Sequence, residues 1–158
     1  MNKRLLTNIF LVSTILTAIM IFCFSAQGKQ ASSRLSSSIA VTIVKMVRPD
    51  YPRLSEREQL SLLSNVESII RKCAHFLEFS LLGFCLACYG YLQTKRKAAF
   101  PVAWILGTLY ACTDELHQLF VPGREPGLLD ICIDSAGAAL GVVVVVMVTW
   151  KKNRELSN

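Results

Sequence analysis

Three short stretches of this 158-residue sequence carry the side chains able to do chemistry. Lys72, His75 and Glu78 recur at intervals of three. Asp114, Glu115, His117 and Gln118 form a second group, Arg124 follows in Val-Pro-Gly-Arg, and Asp130 and Asp134 stand one helical turn apart. Imidazole and carboxylate groups can pass protons near neutrality, so His75, Asp114, Glu115 and His117 are the candidates for general acid–base work. Several oxygens with an imidazole could also hold a divalent metal, although no spacing here is a ligand signature. No other cofactor is expected. Lys72 and Arg124 could bind phosphate or carboxylate, the guanidinium in a two-pronged way. No serine or cysteine beside a histidine marks a nucleophile, and no glycine loop cradles a phosphate.

The elements that must position these groups are apolar. Hydrophobic residues make up 53% of the chain and the mean hydropathy is +0.44, too high for an ordinary soluble domain of this size. Four stretches of about 20 residues, 5–24, 73–92, 98–119 and 131–150, are long enough to cross a hydrocarbon core as helices. The expected fold is therefore all-α: an integral membrane four-helix bundle formed as a single domain over residues 1–158. Lys3 and Arg4, Lys95 to Lys97, and Lys151, Lys152 and Arg154 place both termini and the second link in the cytoplasm. The eight basic residues between Gln27 and Lys72 oppose that orientation, offset by the length of the loop and by Asp50, Glu56, Glu58 and Glu67. The first span is expected to be an uncleaved anchor, because it is long for a signal peptide and bulky Phe24 stands where a cleavage site needs a small residue. With this topology the three polar clusters meet at one membrane face. Charge there tolerates its surroundings by facing inward and pairing, acids of one helix meeting Lys72, His75 or Arg124 from another.

The first loop, 27–72, is expected to be an outer cap. Serines 32–38 suggest irregular chain, after which Ile39, Ile43, Met46 and Val47 recur at helical spacing as far as Pro49. Ser55 and Glu58 make a capping box that starts a second amphipathic helix, marked by Leu60, Leu63, Val66 and Ile70. Both segments are candidate lids. Cys85-x-x-Cys88 falls mid-span without the second pair a zinc site needs, so the six cysteines read as packing residues. Cys73 and Cys132, at one face, leave a disulfide conceivable. Gly137 and Gly141 form G-x-x-x-G, which lets another helix approach closely.

The series Lys72-x-x-His75-x-x-Glu78-Phe79, then Asp114-Glu115-x-His117-Gln118-x-Phe120-x-Pro122-Gly123-Arg124, then Asp130, Asp134, Gly137 and Gly141, resembles the VanZ-like family of bacterial membrane proteins. Phe24-Ser25 near the start is similar to that family too, and the resemblance covers most of the chain. It implies a cell-envelope role, linked for the founding member to low-level resistance to the glycopeptide teicoplanin, and residence in the bacterial inner membrane. Such proteins often have tyrosine at Phe79 and asparagine at Asp134, so this chain holds one more acid than the pattern.

Three readings follow. In the first, Lys72, His75, Glu78, Asp114, Glu115, His117, Gln118, Arg124, Asp130 and Asp134 line an outward-facing pocket that binds a membrane lipid or a lipid-linked envelope precursor. In the second, an intramembrane enzyme acts on such a molecule with His75 or His117 as base. In the third, the charges, Glu125 among them, only brace the helices. A transporter is disfavoured by the absence of an inverted repeat, and nucleic-acid binding by a net charge of +6 that membrane flanks and the outer loop account for.

Overall fold

The computed structural model describes residues 2–124 and 127–155, apart from the side chains of 29–36 and 153. Its elements are α1 (Lys3–Ser25), α2 (Lys29–Val47), a 3-10 turn at Tyr51–Arg53, α3 (Glu56–Thr94), α4 (Ala99–Gln118) and α5 (Leu128–Glu155). The described residues contain no strand, so the chain is all-α. Among the described residues, three helices are long and apolar enough to cross a membrane: Lys3–Ser25, Glu56–Thr94 and Leu128–Lys152. The fourth expected span, α4, falls short because Asp114 and Glu115 occupy its last turns. Its buried residues Phe100, Ala103, Gly107, Ala111, Asp114 and Gln118 recur every three or four positions and form one inward stripe, with buried Glu115 beside Asp114. Val102, Ile105, Leu106 and Leu109 face outward, as lipid contact requires.

Helix α3 is the axis of the assembly and packs against each of the other four helices. Ring contacts give the directions. Phe10 of α1 meets Phe84 of α3, while Ile21 packs with Phe79, so α1 and α3 run antiparallel. Phe79 with Tyr110 and Tyr91 with Phe100 show the same for α3 and α4. Between α3 and α5 the backbones touch. A Cβ at Gly137 would lie 3.3 Å from Phe76 Cα, and one at Gly141 would lie 2.6 Å from Phe84 N, while one at Gly83 would collide with Ala138. The G-x-x-x-G spacing thus acts as expected, with Gly83 as its counterpart on α3. The Tyr110 hydroxyl donates to the Ala18 carbonyl at 2.6 Å and ties α4 to α1.

The region between the first two spans departs from expectation in two ways. Residues 32–38 are helical, the first half of α2, rather than irregular. On α2 the inward face is Ala40 and Val44, whereas Ile39, Ile43, Met46 and Val47 are exposed. Small Ala40 permits close approach to α3, and the larger apolar groups are turned outward. The second departure is that the amphipathic cap helix and the second span are one helix. Its capping box is present, with Ser55 N–H donating to Glu58 Oε2 at 2.9 Å and Glu58 N–H to Ser55 Oγ at 3.4 Å. No proline or glycine interrupts the chain from Ser55 to Leu82. The helix runs on for 39 residues, about 58 Å at 1.5 Å per residue, until Lys95 turns left-handed at φ 56°. The candidate lid role of α2 rests partly on side chains 29–36, which lie outside the described residues.

Candidate functional site

The polar groups converge where the end of α1, the middle of α3, the end of α4 and the start of α5 meet. Asp114 is 3% exposed and is held by two donors, the Ser25 hydroxyl at 2.7 Å and the Gln118 amide at 2.9 Å, both on its Oδ2. Those contacts join α1 to α4. Lys72 of α3 pairs with Asp130 of α5, and Glu115 accepts from the backbone N–H of Gly127 just before α5. His75 and Glu78 face each other one turn apart, Nδ1 to Oε2 at 3.6 Å, too far for a hydrogen bond.

The turn after α4 is built to place Arg124. Val121 and Arg124 donate backbone bonds to Gln118 and Val121 carbonyls, and Gly123 supplies the positive φ of 77° that an L side chain rarely adopts. The Arg124 guanidinium then donates to the carbonyls of Phe24 and Gln27, each at 3.3 Å. A cation on the last carbonyls of α1 also offsets the negative end of that helix. Burial pulls the Arg124 guanidinium below its usual pKa.

A cavity of about 320 Å³ opens among these groups. Lys72, His75, Glu115, Gln118, Arg124, Asp130 and Asp134, all singled out in the sequence, line it. Asp114 lies behind this wall. Glu78 is beside His75 without lining the cavity, and His117 turns the other way, its ring stacked on Phe22 of α1 at 4.5 Å between centroids. Glu125 lies outside the described residues. Among the described residues, four buried atoms have no hydrogen-bond partner: His75 Nδ1, Glu78 Oε2, Asp114 Oδ1 and His117 Nε2. The six cysteines are free thiols, Cys73 and Cys132 included.

Residues 10–149 match the family model described as VanZ/LLP1. This chain belongs to the VanZ/LLP1 family. A search of curated proteins and one of solved structures each returned no match. The VanZ-like resemblance read from the motifs is thereby established, and with three membrane-length helices this is a VanZ/LLP1 membrane protein.

The motif residues of this VanZ/LLP1 chain account for only part of the cavity. Ser64, Asn65, Ser68 and Arg71, from the half of α3 assigned to a separate cap, complete its wall. The signal for them is a polar stripe at helical spacing, Ser64, Ser68, Arg71 and His75, continuous across the expected break. Arg71 has no hydrogen bond or ion pair among the described residues, in contrast to Lys72 and Arg124. Ser25, noted with Phe24 but not as a site residue, proves to be fully buried against Asp114.

Proposed function

We propose that this protein binds the anionic headgroup of a membrane amphiphile, a lipid or a lipid-linked envelope precursor, in the cavity between α3, α4 and α5. The observation that carries this reading is Arg71, a guanidinium on the cavity wall with no partner among the described residues. Lys72 adds charge from the same turn while shared with Asp130. An unpaired guanidinium beside a polar cavity favours a carboxylate or phosphate. Bracing explains Ser25 with Asp114 and Lys72 with Asp130, but it does not require an open cavity.

In this reading α1, α3, α4 and α5 all cross the inner membrane, both termini are cytoplasmic, and the cavity faces outward at headgroup depth. The exposed Phe120, Leu128 and Leu129 around its rim suit that depth. The test is native mass spectrometry of protein in nanodiscs carrying either a polyprenyl phosphate or only zwitterionic lipid. Retention of the phosphate by wild type and its loss in Arg71→Gln supports the reading; equal retention by both refutes it. The enzymatic reading is favoured by the unpartnered His75 Nδ1 near the acids, and turnover of the same phosphate, abolished in His75→Gln, would establish it. A role in glycopeptide resistance follows from sequestering a precursor, and expression should then raise the inhibitory concentration of teicoplanin in wild type but not in Arg71→Gln.

A further inference from the structure

We infer that His75, Asp114 and Asp134 together hold one divalent transition-metal cation. The three residues come from three helices, α3, α4 and α5, and each offers a ligand atom within 4.8 Å of the others. Nitrogen and oxygen donors bound to one ion at about 2.1 Å stand about 3.4 Å apart in a tetrahedral shell, so the trio needs to close by no more than about 1.4 Å.

The state of the individual atoms points to a ligand. Asp114 is 3% exposed, and while its Oδ2 takes bonds from Ser25 and Gln118, its Oδ1 has no partner. Asp134 is 4% exposed and makes no hydrogen bond among the described residues. His75 Nδ1 is likewise buried and without a hydrogen bond. Two neighbouring buried carboxylates need compensating charge; Lys72 and Arg124 are committed elsewhere, and Arg71, on the cavity wall, makes no ion pair with either acid. Lys72 is on Asp130, and Arg124 is on the carbonyls of Phe24 and Gln27. A dication balances both acids at once, and imidazole with carboxylate selects an ion such as Zn²⁺ or Mn²⁺ over Ca²⁺.

Two further features fit a site that works on something. Ser25 and Gln118 orient the Asp114 carboxylate by its other oxygen, the arrangement that holds a metal-binding carboxylate in place. His75 and Asp134 line the cavity, so the position left open by three protein ligands is reachable from it. The ion site stands whichever amphiphile the cavity takes.

The experiment is metal titration of the purified full-length chain in detergent after chelator treatment, read by Mn²⁺ paramagnetic resonance, by the visible absorption of Co²⁺ and by thermal unfolding. One ion per chain and a melting temperature that rises with metal are expected, since an ion bound to the folded state alone stabilises it. Asp134→Asn and His75→Gln should weaken binding by more than about tenfold, and Ser25→Ala by about 10–100-fold through the loss of an orienting partner. Glu67→Gln, an acid on α3 that does not line the cavity, should bind as wild type. Absence of binding to the folded wild type overturns the site. Binding that survives both ligand substitutions, or falls equally in Glu67→Gln, overturns it as well. Because the Co²⁺ spectrum of wild type reports nitrogen and oxygen coordination by itself, the proposal stays testable if a variant does not fold.

Discussion

Placing one methyl group between α3 and α5 tests the account of how the site is held. In Gly141→Ala the new Cβ would lie 2.6 Å from Phe84 N and 3.0 Å from the Ser80 carbonyl carbon, where ordinary contact begins at 3.4 Å. Both neighbours are backbone and cannot rotate aside, so the helices must separate by at least about 0.8 Å, and overpacking of this kind costs about 1–3 kcal/mol. The upper half of that range is expected here. For a soluble chain of this length 1 kcal/mol corresponds to about 2–4 °C, which gives a fall of about 4–12 °C. The assay is thermal unfolding in a mild detergent, followed by the fluorescence of Trp104 and Trp150. Gly127→Ala is the control, because a Cβ there meets nothing within 4 Å. The same separation would draw His75 on α3 away from Asp134 on α5, so metal affinity should fall in Gly141→Ala as well. Equal melting temperatures for the two variants, or a more stable Gly141→Ala, would refute the backbone-contact argument.

Other substitutions probe single contacts. Ser25→Ala removes one of two donors to buried Asp114 and should cost about 1–3 kcal/mol in unfolding free energy, as loss of a hydrogen bond to a charged group does. Arg124→Lys should lower the melting temperature by at least half as much as Arg124→Ala, since an ammonium does not reproduce a fork onto the Phe24 and Gln27 carbonyls. Lys72→Met should destabilise by less than about 1 kcal/mol, and by less still at high salt, because Lys72 and Asp130 are 37% and 30% exposed. Hydrogen bonds from Ser55 hold the Glu58 carboxyl below its usual 4.5. The stabilisation from that depressed value is fully present above 4.5 and is lost as pH falls through the folded-state value. Amide exchange across the first turn of α3, corrected for intrinsic rates, should therefore accelerate on acidification in wild type and not in Glu58→Gln.

The helical class and the three long apolar helices could be read from hydropathy alone, because the bilayer sets a length that few soluble helices match in apolar residues. The convergence of Lys72, Asp114 and Asp130 followed from alternating helix direction, and the Lys72–Asp130 pair gives it substance. What escaped the sequence was the continuity of α3. A fall in polarity near Cys73 looks like a boundary, but polarity changes what surrounds a helix without breaking its hydrogen bonds, and only proline, glycine or a cap would do that. The broken reading hid Ser64, Ser68 and Arg71 from the site. His117 was grouped with Asp114 by proximity in sequence, yet it stands three residues along a helix and stacks on Phe22 instead.

The unbroken α3 has a further consequence. From Ser64 to His75 is about 16 Å of a single helix at 1.5 Å per residue, and both ends border the same cavity. If the cavity takes a headgroup as proposed, a stiff rod graduated with serine, arginine and imidazole at fixed heights would discriminate guests by reach as well as by charge. A headgroup that stops one turn short would miss a contact that no rotation of a side chain could restore.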